Sequence, residues 1–380
     1  MFPHLKNQFF LDPKITFLNH GSFGACAKPI YNNLLEWQKK LEEEPVKFFE
    51  NTIFDALEKS RKALGDYINC PADDLVYFQN PTTAVNAVAR SLKLNPGDEV
   101  LSTNHIYGAL DRSWKYILTN KRANFVKAKI PFPIQSKQEF LDSFFKHITN
   151  HTKVIFLSHI TSMTAMKLPV EEVIEFAKEK NILTIIDGAH VPGHIPLDIL
   201  KLDADIYTGA CHKWMCTPKG VSFLYVKKEL QKNIHPLVVS WGWESENPGH
   251  SKFLDWHEWQ GTRDMSAFLT IPIAVEFLNN YNWLEVGKRC REEVVLARDK
   301  FLSMLKILPP CPNSWLGQMA SIPLLIKDAE LLKKTLLENY QIQVPVFKWE
   351  GNTYLRYSFQ AYNTCEDLDK LLSAVKEILI

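Results

Sequence analysis

The chain has 380 residues, 46% of them hydrophobic and 23% charged, an ordinary globular balance, and its length points to about two domains. Lys and Arg number 44 against 43 Asp and Glu, so no net basic field exists to hold nucleic acid or an anionic membrane. Seven scattered cysteines without a C-x-x-C pair argue against a disulfide framework or a structural zinc. With no signal-peptide pattern and no apolar run of spanning length, a cytoplasmic, soluble protein is expected.

Residues 1–14 read as an arm, and 15–18 as a short strand entering Asn19-His20-Gly21-Ser22-Phe23-Gly24, where two glycines permit a tight turn. Pro29 opens a helical pattern to about 43, and a second amphipathic helix covers roughly 47–67. A repeating rhythm comes next. Strands are expected at 75–78, 99–102, 124–128, 153–158, 182–186, 205–208 and 221–226, with helices to about 94 and over 107–121, 137–148 and 170–180. Such alternation means an α/β fold with a mostly parallel central sheet flanked by helices.

Past Gly261-Thr262-Arg263 the character changes. A helix of about fourteen residues is expected from near 266 and a long one over 283–308. Strands at 321–326, 344–346 and 354–358 make a small sheet closed by a helix from about 366. The expected division is an arm over 1–14, a large domain over 15–265 and a smaller C-terminal α+β domain over 266–380.

In open parallel sheets ligands bind beyond the carboxyl ends of the strands, and three polar groups fall there. Asn80-Pro81-Thr82-Thr83 sits where a strand turns into a helix. It is either a plain N-terminus with Pro81 first and a threonine cap, or a phosphate cradle of free N–H groups. Asp187 follows five mostly apolar residues and needs a cationic partner if buried. It is either a turn aspartate or the partner of a protonated ring nitrogen, with His190 three residues on. Lys213 lies in Cys211-His212-Lys213-Trp214. On a solvated face it would be ordinary; pinned among small and aromatic residues its amine loses its charge more readily and becomes a candidate Schiff-base former.

Arg356 alternates with apolar residues and is either solvated or a bidentate clamp for a carboxylate. Tyr107 and Trp114 read as core aromatics or cofactor partners. Cys211 and Cys216 read as packing, and Cys311 as a loop thiol.

This order of parts resembles the fold-type I pyridoxal-phosphate enzymes of the aminotransferase class V family. The segments 17–24 and 211–214 are similar to those of its isopenicillin N epimerase-like branch. The resemblance implies pyridoxal 5'-phosphate bound to Lys213, with Asp187 on the pyridinium nitrogen and His190 near the phenolic oxygen. Tyr107 would stack on the ring, Ser162 would border the cofactor, and Thr82, Thr83 and His212 would take the phosphate. Gly261 and Thr262 match a segment that reaches a neighbouring subunit's phosphate, which implies a homodimer. Arg356 would hold the substrate α-carboxylate, with Asn19 and His20 at the pocket mouth.

Two departures bear on the reaction. Cysteine desulfurases of this family usually have asparagine at the position of Ser162 and serine at that of Ala210. The expected activity is therefore epimerase-like chemistry at the α-carbon of an amino acid or amino-acid-derived substrate. A C–S lyase or desulfurase, an aminotransferase, and a non-catalytic sensor on the same fold stand as alternatives.

Overall fold

The computed structural model describes residues 3–379. Its centre is a seven-stranded sheet of β1 (Leu75–Phe78), β2 (Glu99–Thr103), β3 (Asn124–Ala128), β4 (Thr152–Ser158), β5 (Leu183–Gly188), β6 (Ile206–Ala210) and β7 (Ser222–Val226), in the spatial order β3-β2-β4-β5-β6-β7-β1. Only β7 runs against its neighbours; β1 to β6 share one direction. Their carboxyl ends therefore open on one edge.

The strands read as unbroken apolar runs because both faces are covered. Side chains alternate along each strand. Val154 and Phe156 of β4 join one cluster with Val76, Ile185 and Trp114, while Ile155 and Leu157 join another with Tyr77, Ile186 and Tyr207. Helices Pro81–Ser91 and Gly108–Lys121 cover the first face.

A second, antiparallel sheet comprises β8 (Met319–Leu324), β9 (Val346–Trp349) and β10 (Asn352–Ser358), with β10 in the middle. The helices Trp283–Leu305 and Cys365–Leu379 accompany it, and the Tyr357 hydroxyl donates to Val294 O at 2.7 Å. Among the described residues no helix is long and apolar enough to cross a membrane.

Two expected helices start differently, the strand expected at 344–346 lies at Val346–Trp349, and one helix was not expected. The helix expected over 47–67 begins with a wide turn at Phe48–Thr52 and becomes regular over Ile53–Ile68. The helix expected from 266 is Ile271–Asn280 after a tight turn at Phe268–Thr270. Pro272 lacks an N–H and fits only a first turn, which sets that start. Helix Lys252–Glu258, capped by Ser251, had no sequence expectation.

The stretch 15–18 pairs with the C-terminal part of the chain. Thr16 and Phe17 align in parallel with Ile342 and Gln343, and Ser358 N–H donates to Leu18 O. The chain then crosses to the end of β6. There Gly24 has φ 71° and ψ 161°, a region essentially reserved for glycine, and a Cβ on it would lie 2.2 Å from His212 O. Replacing Gly24 by alanine combines backbone strain with a backbone clash. It should cost about 3 kcal/mol or more, read as a lower urea midpoint with unchanged slope.

Candidate active site

The strand ends gather around one cavity of about 460 Å³. Beyond β1, the Asn80 carboxamide caps helix Pro81–Ser91 by accepting the Thr83 N–H at 2.9 Å and the Thr83 hydroxyl at 3.0 Å. The cap is thus Asn80 and not a threonine. Pro81 has no N–H, so the Thr82 N–H and hydroxyl are left without a partner among the described residues, at the positive end of an eleven-residue helix. Such an end attracts an anion.

Asp187 lies within β5, one residue before its end, its backbone register set by Ser158 on one side and Thr208 on the other. It is 4% exposed. One carboxylate oxygen accepts Ala189 N–H at 3.0 Å, and among the described residues no side-chain cation bonds the carboxylate. Burial pushes its pKa up, opposed by that N–H and by Lys213. A buried carboxylate on a cavity wall without its own ion partner is suited to a cationic ligand.

Lys213 sits in the single helical turn Cys211–Trp214 that follows β6. Its Nζ lies 3.2 Å from His190 Nε2. Burial pushes the amine pKa down to about 8, with Asp187 pulling it back and Arg356 adding to the fall. The neutral, nucleophilic amine is therefore far more populated at physiological pH than in an ordinary lysine.

His212 Nδ1 lies 2.9 Å from Val221 O. A carbonyl only accepts, so Nδ1 carries the proton and Nε2 remains for the cavity. Burial pushes this imidazole down to about 4. Tyr107, 43% exposed, and Ser162 also line the cavity, with Leu110, Ile160 and Phe23 as its apolar wall.

Arg356, on β10, is buried, and burial pushes its pKa down to about 10. One terminal nitrogen donates to Ser162 O and, at 3.3 Å, to Ser162 Oγ; the other donates to Ser22 Oγ at 2.8 Å. Ser22 and Ser162 themselves line the cavity. The guanidinium thus meets it through two serines.

Some expected residues lie elsewhere. His20, expected at the mouth, is fully buried: its Nε2 holds Lys213 O at 2.9 Å and its Nδ1 faces the Tyr362 hydroxyl at 2.9 Å. Both ring nitrogens are engaged, and burial pushes its pKa down to about 3, so it positions Lys213 and does not meet substrate. Asn19 accepts the Ser22 hydroxyl and stands behind that serine. Gly261 and the exposed Thr262 lie outside this cavity. Trp114 is core, packed on Phe125 and Phe156. Cys311 is buried against Arg298, its thiol pushed up to about 11 by burial.

Sequence reasoning missed Ser22, the partner of an arginine 334 positions away, and the capping role of Asn80. It also missed the Trp214 indole N–H, which donates to His190 Nδ1 at 3.3 Å. The Asn-Pro pair before a helix was a readable signal for the cap; the other two contacts are tertiary and leave no local pattern.

The residues present fit an aldehyde cofactor that carries an anion and a basic ring nitrogen. A low-pKa amine, a buried carboxylate short of a cation and a helix N-terminus with an unclaimed N–H border one cavity.

Comparison with known proteins bears on the same point. The aminotransferase class-V family model matches residues 43–371. The chain is 29% identical to an isopenicillin N epimerase of Amycolatopsis lactamdurans, over 98% of this chain and 97% of that protein. It is 28% identical to a probable chloroplastic L-cysteine desulfhydrase of Arabidopsis thaliana, over 97% and 84%. A crystal structure of an Escherichia coli cysteine desulfurase superposes with a TM-score of 0.81 at 22% identity, covering 99% of this chain and 98% of that one, which is a likeness of fold. With the family model running through both sheets, the chain belongs to the aminotransferase class-V family and is a pyridoxal-phosphate-dependent enzyme.

Proposed function

We propose that this cavity holds the cofactor and that Lys213 Nζ removes the α-proton of an amino acid whose carboxylate is held near Arg356. The observation that carries the reading is the meeting in one cavity of the half-buried Lys213, its amine pushed down to about 8, and the buried Asp187, whose carboxylate no side-chain cation bonds among the described residues. Pyridoxal phosphate, when bound, supplies an aldehyde for the amine and a protonated ring that draws electrons from the α-carbon. Asp187 would hold the ring nitrogen, and Thr82, Thr83 and His212 the phosphate. His190 would meet the phenolic oxygen, Tyr107 the ring face, and Ser162 the substrate side.

Lys213 Nζ acts on the proton only when neutral and freed. It takes the proton from Cα as the Cα–H bond breaks. For a substrate with sulfur on Cβ, the Cβ–S bond then breaks, the thiolate leaves, and the electron pair becomes a Cα–Cβ double bond. The proton on Lys213 Nζ can return to sulfur. This C–S lyase outcome needs one base. Among the described residues lining the cavity Lys213 is the sole amine, and burial holds the imidazoles of His190 and His212 neutral. Likeness to the cysteine desulfhydrase supports it. A desulfurase would need an exposed nucleophilic thiol, and Cys311 is buried on Arg298.

Epimerisation is the second reading. The half-exposed Tyr107 phenol on the cavity wall favours it, as a second proton donor, and so does likeness to the epimerase.

We also infer a homodimer with shared sites. Val238, Val239 and Trp241 are exposed by 48%, 65% and 84%, a concentration of apolar surface that marks an interaction site. The adjoining Trp243 stacks on Trp256 at 4.7 Å, in the helix that leads to Gly261 and Thr262.

Borohydride should fix the cofactor onto Lys213, and Lys213→Ala should abolish that adduct and lower turnover by about 10³-fold; an adduct at another lysine in the wild-type protein refutes the site. In deuterated water, cysteine should yield pyruvate and sulfide, whereas inverted α-deuterated product would favour the epimerase and conversion of the cofactor to its amine form a transaminase. The ammonium form cannot capture an aldehyde, so capture of pyridoxal phosphate by cofactor-free protein should quicken about tenfold per pH unit up to roughly 8 and level off above it. Sedimentation should give a dimer, and Trp241→Glu with Val239→Glu should give a monomer; an unchanged wild-type monomer at every concentration contradicts the assembly.

A further inference from the structure

Trp214 follows the lysine in sequence and is fully buried. Its Nε1 lies 3.3 Å from His190 Nδ1, and the other nitrogen of that imidazole, Nε2, lies 3.2 Å from Lys213 Nζ. An indole N–H donates and never accepts. His190 Nδ1 must therefore be the bare, accepting nitrogen, and the single proton of the neutral ring must sit on Nε2. We propose that Trp214 is a positioning residue that locks His190 in the Nε2–H tautomer, so that His190 presents a donor, and never an acceptor, to Lys213.

The consequence comes from hydrogen-bond directions. An Nε2–H can bond the lone pair of a neutral amine but cannot accept from an ammonium, so the locked tautomer favours the uncharged Lys213. Without the indole N–H the ring could shift its proton to Nδ1 and accept from the ammonium. The charged and titratable groups around this pair are Asp187, Arg356, His194 and His212. Of these, Asp187 alone favours the ammonium, and none bonds to His190 Nδ1.

The indole is itself held. It stacks on His194 with ring centroids 3.9 Å apart and planes at 20°, and it meets His20 at 4.9 Å. His194 Nδ1 lies 2.8 Å from His190 O and its Nε2 accepts Gln318 N–H, so its tautomer is also fixed. His20 donates to Lys213 O. Gly193 allows the approach, since a Cβ there would come within 2.4 Å of Trp214 O. Two imidazoles of fixed protonation thus grip the indole that sets the third.

The lock is a property of the folded chain alone; its kinetic consequence rests on the reading of Lys213 as the cofactor lysine. The test uses the full-length chain with 15N-labelled histidine and long-range 15N–1H correlation, with His190 assigned through His190→Gln. The expected spectrum shows Nε2 protonated and Nδ1 bare. Trp214→Phe keeps a ring over His194 and removes the N–H. It should shift His190 toward Nδ1–H and move the midpoint of pyridoxal phosphate capture up by about one pH unit, the tenfold that one hydrogen bond is worth. His190→Gln offers an oxygen to the indole and an N–H to Lys213. It should keep the low midpoint while Trp214 is present and lose it when combined with Trp214→Phe. An Nδ1–H tautomer in the wild-type protein overturns the proposal even if Trp214→Phe does not fold, and so does a Trp214→Phe protein with tautomer and midpoint both unmoved. Borohydride mapping on the same samples decides separately whether Lys213 carries the cofactor, so failure of that reading leaves a different trace from failure of the lock.

Discussion

Burial of one amine is the constraint around which the rest is arranged. Desolvation pulls Lys213 from an ordinary 10.5 to about 8 although Asp187 pulls the other way. That difference is worth roughly 3 kcal/mol. The unfolded chain holds this proton up to about pH 10.5 and the folded chain only up to about 8. The charged lysine therefore costs stability in full below about pH 8, and the cost fades as pH rises from there to 10.5. In the proposed role of Lys213, capture of an aldehyde would consume the ammonium and relieve this cost. Structure around the turn is correspondingly dense: His20 holds the Lys213 carbonyl, Cys211 and His212 N–H both reach Val221 O, and Gly24 lies on the backbone.

Much of this is legible in the sequence, and for definite reasons. The strand at 75–78 lies where expected because a short apolar run between turn residues has few other solutions in an alternating pattern, and the one at 124–128 because it falls in the same rhythm between two helical patterns. Thr82, Thr83, Tyr107, Ser162, Asp187, His190, His212 and Lys213 all border one cavity, since strand ends of a parallel sheet share an edge. The strand at 15–18 is not legible as a partner of 342–343, because a two-residue pairing has no periodicity to read. The role of His20 is hidden for a similar reason. The family resemblance alone places it at the mouth, and only the fold turns its ring inward onto a carbonyl 193 positions away.

The two ends of the site are mechanically joined by the segment 17–24. Ser22, which bonds Arg356, His20, which holds Lys213 O, and Gly24, which lies against His212 O, all fall within five consecutive residues. Leu18 and Phe17 anchor this segment to the small sheet at Ser358 and to Asn363 just beyond it, and Lys219 Nζ bonds Gly24 O from the far side. A shift of the small sheet would therefore be felt at the amine as well as at the guanidinium. Arginine and lysine come from different sheets, yet their separation is set by one short, glycine-bearing strap.

That arrangement bears on what separates the reactions open to such a pocket. The proposed α-proton removal would draw on Lys213, Asp187 and the N-terminus of helix Pro81–Ser91, all at strand ends of the large sheet, where strand register holds them. The outcome after proton removal depends on the orientation of the remaining bonds at Cα and on the next proton donor in reach. In the proposed reading both would be governed by Arg356 and by the wall of Phe23, Tyr107 and Ser162, which lie in the segment 20–24 and in loops. Divergence of reaction over a shared fold is physically cheap here because a loop residue can turn the substrate, or add a proton donor, without disturbing the buried lysine. On the proposed reading, the specificity of this enzyme is therefore to be sought around Ser22, Tyr107 and Ser162.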